Sequence, residues 1–224
     1  MIPLDSSIPE ILKCKGVLCD LDGLLVDTET VHWEAYRRAL APYGIDVTRQ
    51  MFIESWLSGI HYGTVYHLNR MGVTDMEVIE KVRKIKADLY IELAGKYGLK
   101  FMPGAEEFLK VVKAHEIPCG IATGGYRQEY EHTIKVCGLE KYVQVVLGGD
   151  EVTHNKPAPD LFLAVAKRLG VDPADCVVFE NSSIGLHSAE KGGIPCIIVP
   201  SEWTVTQDFT GALRILKSLT EVLD

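Results

Sequence analysis

Short apolar runs alternate with amphipathic stretches along most of this 224-residue chain, and the alternation predicts its elements. Val17 to Cys19 is a brief, branched apolar run of the kind that forms a strand buried on both faces. It stops abruptly at Asp20-Leu21-Asp22-Gly23. Asp27 or Thr28 is placed to cap a helix reaching about Tyr43, with Gly44 as its stop. From there to about Lys100 nothing reads as a strand, and helices are predicted over 48–58, 61–71 and 75–96. In the last of these, Ile79, Val82, Ile85, Leu89 and Leu93 recur at steps of three and four, which gives one apolar face. At Phe101-Met-Pro-Gly104 the pattern changes. Helix 105–115, strand 118–122, helix 127–137, strand 143–147, helix 159–169, strand 176–179, helix 184–191 and strand 194–199 follow in turn. A short strand near 213–215 and a terminal helix complete the series.

Repeated strand–helix units with nearly all-apolar strands predict an α/β fold, a Rossmann-like parallel sheet with helices on both faces. The helical block follows the first strand as an insertion. The expected organisation is therefore a core of residues 1–27 and 101–224 carrying an all-α cap domain of residues 28–100. The pattern of residues 1–14 does not settle their structure.

Composition narrows the partners. A formal net charge of −8 argues against nucleic acid or an anionic membrane as the main partner. An anionic substrate then needs local positive charge, from a metal or from placed Lys and Arg residues. Asp5 and Glu10 interrupt the N-terminal region, and no apolar run reaches the ~18 residues of a membrane span. The expectation is a cytoplasmic monomer. Six cysteines show no Cys-x-x-Cys spacing, and four lie in or beside predicted strands, as reduced core thiols do.

In open parallel sheets, ligands bind beyond the carboxyl ends of the strands. Side chains two apart on a strand point the same way, so Asp20 and Asp22 face one another's charge and require a cation or a proton. The second strand ends at Thr123-Gly124-Gly125, the fourth at Glu180-Asn181-Ser182, and Lys156-Pro-Ala-Pro-Asp160 precedes the helix at 159–169. One edge thus gathers three acids, an amide, a hydroxyl, a lysine and a glycine pair.

These four pieces, in this order, resemble motifs I to IV of the haloacid dehalogenase superfamily, whose members are mostly magnesium-dependent phosphatases. The resemblance runs from about residue 15 onward and is nearest the β-phosphoglucomutase-like branch, which carries a helical cap after motif I. It implies a Mg²⁺-dependent phosphatase of a small phosphorylated metabolite: a sugar, polyol or nucleoside monophosphate. Asp20 would be the nucleophile that forms an aspartyl phosphate, and Asp22 the acid and base for leaving alcohol and attacking water. Thr123 and Lys156 would hold the phosphoryl oxygens, helped by Leu21, Gly124 and Gly125. Mg²⁺ would take oxygens from Asp20, Asp22, Glu180 and Asn181.

The branch usually has Asp where this chain has Asn181, which removes one negative charge from the metal site. Asn181 is expected as a weaker ligand or as the cap of helix 184–191, two roles that need not exclude each other. For the substrate's other end, the resemblance points to His32, Ser58, Gly59, His61 and Lys86 in the cap and to Arg127 beside the core. Each has a plainer alternative: a core or hinge histidine at 32, a solvated lysine at 86, a first-turn helix residue at 127. The rival functions are a β-phosphoglucomutase-type isomerase and a non-catalytic binder. The first is disfavoured because Ser58 and Tyr62 stand where a mutase carries Lys and Arg for a second phosphate. The second is motivated by Asn181. The cap is expected to close over the site and expel bulk water.

Overall fold

The apolar runs form a single parallel sheet of six strands in the order β3-β2-β1-β4-β5-β6. In chain order these are β1 (Gly16–Cys19), β2 (Cys119–Ala122), β3 (Val145–Leu147), β4 (Cys176–Glu180), β5 (Cys196–Ile198) and β6 (Arg214–Ile215). The computed structural model describes residues 12–58 and 63–223. It divides into two compact units, Met1–Asp27 with Lys100–Asp224, and Thr28–Leu99.

In the sheet unit, β1, β2 and β4 are buried along their whole length, which explains their unbroken apolar character. Alternation along β4 shows how both faces are covered. Phe179 meets Phe108 of α5 (Ala105–Ala114) with ring centroids 4.7 Å apart. Val178 points the other way, into a cluster with Leu161 and Phe162 of α7 (Asp160–Leu169) and Leu186 of α8 (Ser183–Lys191). The buried positions of α5 are Ala105, Phe108, Leu109 and Val112, the spacing of one helix face. Helix α6 (Arg127–Cys137) joins β2 to β3.

Two features of this topology prepare the site. Strands β2 and β3 extend the sheet to one side of β1, whereas β4 and β5 extend it to the other, so the strand order reverses between β1 and β4. Ligand crevices of such sheets open at that reversal. The chain leaving β1 also turns at once: Gly23, with φ 77°, donates its N–H to the carbonyl of Val26 at 2.8 Å. Asp27 N then donates to Lys100 O and Met102 N to Leu25 O, both at 2.9 Å, which pairs the outgoing chain with the returning one.

The helical unit contains α1 (Glu29–Leu40), α2 (Arg49–Phe52), α3 (Gly63–Arg70) and α4 (Met76–Tyr97). Helix α1 lies on α4 through Val31, Ala35, Tyr90, Leu93 and Ala94. Thr48 and Asp75 cap α2 and α4, accepting from the N–H groups of Met51 and Glu77. Thr28 occupies the cap position of α1, but its side chain makes no capping bond there. After α2 the helix widens into a π turn, Ile53–Leu57, closed by Ser58 N donating to Ile53 O. Trp56, on that turn, stacks between Tyr36 and His67.

The C-terminal segment differs from the expected helix. It forms a single 3-10 turn, Leu219–Val222. Leu219 and Val222, three apart, are the buried pair that suits a three-residue repeat, because i and i+3 side chains line up there. Among the described residues no helix is long and apolar enough to cross a membrane.

Phe108 is fully buried against Phe179, so Phe108→Ala should lower unfolding free energy by about 3–5 kcal/mol, read from urea denaturation. A loss under about 1 kcal/mol would mean that α5 collapses into the cavity instead of leaving it open.

Candidate active site

Register decides which strand-end residues meet. Cys19 pairs with Phe179, so Asp20 follows beside Glu180, and Asp20 N donates to the carbonyl of Phe179 at 2.9 Å. Lys156 arrives from the loop after β3 and closes the cluster. Its Nζ donates to Asp20 Oδ1 at 2.6 Å and Glu180 Oε1 at 2.7 Å, and lies 4.6 Å from the Phe162 ring centroid. All three side chains are out of water, with exposures of 5% for Lys156, 9% for Asp20 and 1% for Glu180. An ammonium buried that deeply is tolerable only when it is paired, and here it has two partners.

The electrostatics follow from this burial. Loss of solvent pushes the Asp20 carboxyl up to about 8; the Lys156 ammonium opposes the rise, and Glu180 and Asp22 add to it. For Lys156, burial alone favours the neutral amine, but Asp20 and Glu180 outweigh it and raise its pKa, so the side chain stays charged.

Glu180 is oriented from its other side. Its Oε2 accepts from Asn181 N at 2.8 Å, Ser182 N at 2.9 Å and Ser182 Oγ at 2.8 Å. The carboxylate lies so close to the first turn of α8 that a Cβ on Gly185 would stand 1.8 Å from Oε1. Ser182, not Asn181, caps α8, accepting from Gly185 N at 3.2 Å. Asn181 is buried next to Glu180.

The second half of the site comes from β2. Thr123 Oγ1 donates to Asp22 Oδ2 at 2.7 Å and accepts from Gly125 N at 3.0 Å. The Gly125 amide therefore serves the threonine. Leu21 is fully buried, so only its main chain is available to a ligand, and its carbonyl already accepts from Leu25 N and Val26 N.

Arg127 has its guanidinium held by Glu131 and Glu151, and its main-chain N–H faces the Asp150 carboxylate. Glu151 also accepts from Tyr130 Oη at 2.6 Å and Gly148 N at 2.9 Å. Burial would raise the Glu151 pKa, but these bonds and the Arg127 charge outweigh it and lower the value. Arg127 thus braces the loop after β3 against α6.

Within the helical unit, Lys86 is buried, at 4% exposure, so a solvated lysine does not describe it. Its Nζ lies 2.8 Å from His32 Nδ1 and 4.4 Å from the Tyr36 ring centroid, and His32 stacks on Tyr90 at 4.3 Å. Ser58 Oγ donates to the carbonyl of Glu54 at 2.9 Å. Gly59 and His61 lie outside the described residues.

Ser182, Asn155, Glu151 and Tyr130 support the site without belonging to its expected set. The pattern Glu-Asn-Ser before an amphipathic stretch carried a capping signal that identifies Ser182. The other three act through tertiary contacts that leave no mark on local spacing.

A parallel α/β sheet with acids at the ends of β1 and β4, a hydroxyl at the end of β2 and a buried lysine between them defines a phosphoryl- or acyl-transfer type of hydrolase site. The chain belongs to the haloacid dehalogenase-like hydrolase family, whose model matches residues 17–199. It is 34% identical to the phosphorylated carbohydrates phosphatase of Thermotoga maritima over 80% of this chain and 82% of that one. It is 32% identical to the bifunctional riboflavin kinase/FMN phosphatase of Arabidopsis thaliana over 98% of this chain, but spans only 56% of that protein's length. Among solved structures, CbbY from Rhodobacter sphaeroides in complex with phosphate superposes with a TM-score of 0.82, covering 93% of this chain and 96% of that one at 26% identity.

Replacing Lys156 by methionine leaves Asp20 and Glu180 buried without their cation. Lys156→Met should destabilise the metal-free protein by about 3–5 kcal/mol in urea denaturation. The loss should be larger at pH 9.5 than at pH 6, because Asp20 carries a proton below about 8 and ionises above it only with the help of the lysine that the variant lacks. Equal losses at both pH values would mean that the carboxylates are relieved by water entering the site.

Proposed function

We propose that this chain is a Mg²⁺-dependent phosphatase that hydrolyses a small phosphorylated metabolite through an aspartyl-phosphate intermediate on Asp20. The observation that carries the reading is the pairing of two carboxylates at one strand end with different partners. Asp20 is engaged by a permanently charged lysine and Asp22 by a neutral hydroxyl. An ionised nucleophile and a separate proton carrier are what a two-step ester hydrolysis requires. The names of the relatives, a phosphatase of phosphorylated carbohydrates and an FMN phosphatase, support a sugar, polyol or nucleotide-like monophosphate as substrate.

Hydrolases of this family generally use Mg²⁺. Among the described residues no three His, Cys, Asp or Glu side chains converge as a metal cage. The available donors are instead the carboxylates of Asp20 and Glu180, the main-chain carbonyl of Asp22 and the amide oxygen of Asn181. An all-oxygen set that is sparing in carboxylates suits Mg²⁺, which keeps water and substrate phosphate as its remaining ligands. Charge points the same way: Asp20, Asp22 and Glu180 outnumber Lys156, so a divalent cation balances the site. When bound, the ion would hold Asp20 ionised against the effect of burial and neutralise phosphoryl charge.

In the first step an Asp20 oxygen attacks phosphorus, the bond from phosphorus to the leaving oxygen breaks, and Asp22 passes its proton to that oxygen. In the second, Asp22 takes a proton from water as the water oxygen attacks phosphorus. The Asp20–phosphorus bond then breaks, releasing phosphate and regenerating the carboxylate. Lys156 meets an equatorial oxygen, where charge is greatest in flight, and Thr123 reaches another when its hydroxyl turns from Asp22. Gly124 and Gly125 place no side chain against the phosphoryl group.

Phosphate release from a panel of phosphorylated metabolites with Mg²⁺ tests the reading, and isomer analysis of the same reactions separates hydrolysis from mutase activity. Asp20→Asn should abolish turnover on every active substrate, a loss of several orders of magnitude, while leaving thermal unfolding intact. No release from any substrate by the parent would overturn the function. Near-parental kcat in Asp20→Asn would overturn the mechanism.

Asn181→Asp restores a negative charge beside Glu180. Titration of Mg²⁺ against activity should show half-saturation at about 5- to 30-fold lower concentration, equivalent to ~1–2 kcal/mol after screening. An unchanged half-saturation point would remove Asn181 from the ligand set. Activity appearing only in the variant would favour a parent that binds without turnover.

A further inference from the structure

The side-chain amide of Asn155 joins the two loops that carry the candidate catalytic groups. Its Nδ2 donates to the carbonyl of Gly124 at 3.0 Å, and its Oδ1 accepts from the main-chain N–H of Lys156 at 2.7 Å. Each end leads directly to the chemistry. In a trans peptide the carbonyl and the following N–H point in opposite directions. Holding the Gly124 carbonyl on Asn155 therefore aims the Gly125 N–H the other way, onto Thr123 Oγ1 at 3.0 Å. That hydroxyl in turn donates to Asp22 at 2.7 Å. At the other end, anchoring the Lys156 amide sets the root of a side chain whose Nζ lies between Asp20 and Glu180.

The space for this amide exists because residue 149 is glycine. A Cβ on Gly149 would stand 2.1 Å from Asn155 Nδ2 and 2.7 Å from the Gly124 carbonyl. Gly149 N also donates to Gly125 O at 2.8 Å, a second tie between the same loops. A short planar amide is suited to the task because it presents a donor and an acceptor on opposite corners. A carboxylate would present two acceptors and repel the Gly124 carbonyl.

We propose that Asn155 is a positioning residue for phosphoryl transfer, setting the spacing between the Thr123–Asp22 pair and the Lys156–Asp20–Glu180 cluster. The proposal rests on the phosphatase reading above and adds to it a residue that touches no substrate. Because the two halves act together only in the transition state, loosening the tie should lower kcat while changing KM little.

The test uses p-nitrophenyl phosphate with saturating Mg²⁺ and amide hydrogen exchange on the same proteins. Asn155→Ala and Asn155→Asp should lower kcat about 10- to 100-fold, with KM moving less than about threefold. Gly149→Ala, which intrudes on the same bond, should do likewise. In Asn155→Ala, exchange should rise together at the Gly125 and Lys156 amides while the strands keep their protection, which separates local loosening from a loss of folding. A kcat within twofold of the parent in Asn155→Ala, or faster exchange at only one amide, would overturn the proposal. A parent that turns over no phosphate ester would overturn the phosphatase reading instead. The exchange result then decides the tie by itself, upheld by a joint rise and overturned by any other pattern.

Discussion

The buried ammonium of Lys156, held between Asp20 and Glu180, is the contact on which the candidate site depends. A cation out of water is stable only in a surround of good geometry, and that requirement reaches back into the fold. β1 and β4 must be adjacent and in the register that brings Asp20 beside Glu180. The Glu180 carboxylate must be turned by the amides of Asn181 and Ser182, and α8 must have no side chain at Gly185. The loop after β3 must deliver Lys156 from far along the chain. None of these features is costly alone, but the failure of any one leaves a charge uncompensated.

Sheet topology provides the frame. The reversal of strand order between β1 and β4 opens the carboxyl edge at the place where the two acidic strand ends lie together. Strand β2, on the other side of β1, brings Thr123 to Asp22. The nucleophile candidate is thus flanked by unlike neighbours, an ionic cluster toward β4 and a hydroxyl relay toward β2. That asymmetry separates the behaviour of two carboxylates only two residues apart. One is a buried member of an ion triad, the other a hydrogen-bonded acid beside a threonine.

A polar system of a different kind occupies the helical unit. Lys86, His32, Tyr36 and Tyr90 enclose a cation with aromatic rings and an imidazole, with Trp56 and His67 continuing the stack. Ring faces stabilise an ammonium through their quadrupole. Both buried lysines are closely surrounded: Lys156 by Asp20 and Glu180, and Lys86 by a His32 nitrogen and the Tyr36 and Tyr90 rings.

Much of this was determined by the sequence alone. Local periodicity marks a parallel α/β fold with a helical insertion, because buried strands must be apolar throughout and surface helices on one face only. The strand-end acids, Thr123 and Lys156 were legible because turns after strands carry polar residues whose spacing is short-range information. Tertiary structure decided the rest. Whether Asp20 and Glu180 share a lysine depends on strand order, which no local window contains. Lys86 reads as a substrate contact or a solvated helix position, and its burial shows only once α1 supplies His32 and Tyr36 around it. Arg127 reads equally as a substrate contact or a first-turn helix residue, and its pairing with Glu151 appears only when the loop after β3 is in place. Asn155 has no signature at all, because its function lies in joining Gly124 to Lys156, segments that meet only once the sheet has formed. The C-terminal segment reads as a helix by composition, yet its single buried pair of Leu219 and Val222 is satisfied by one tight turn.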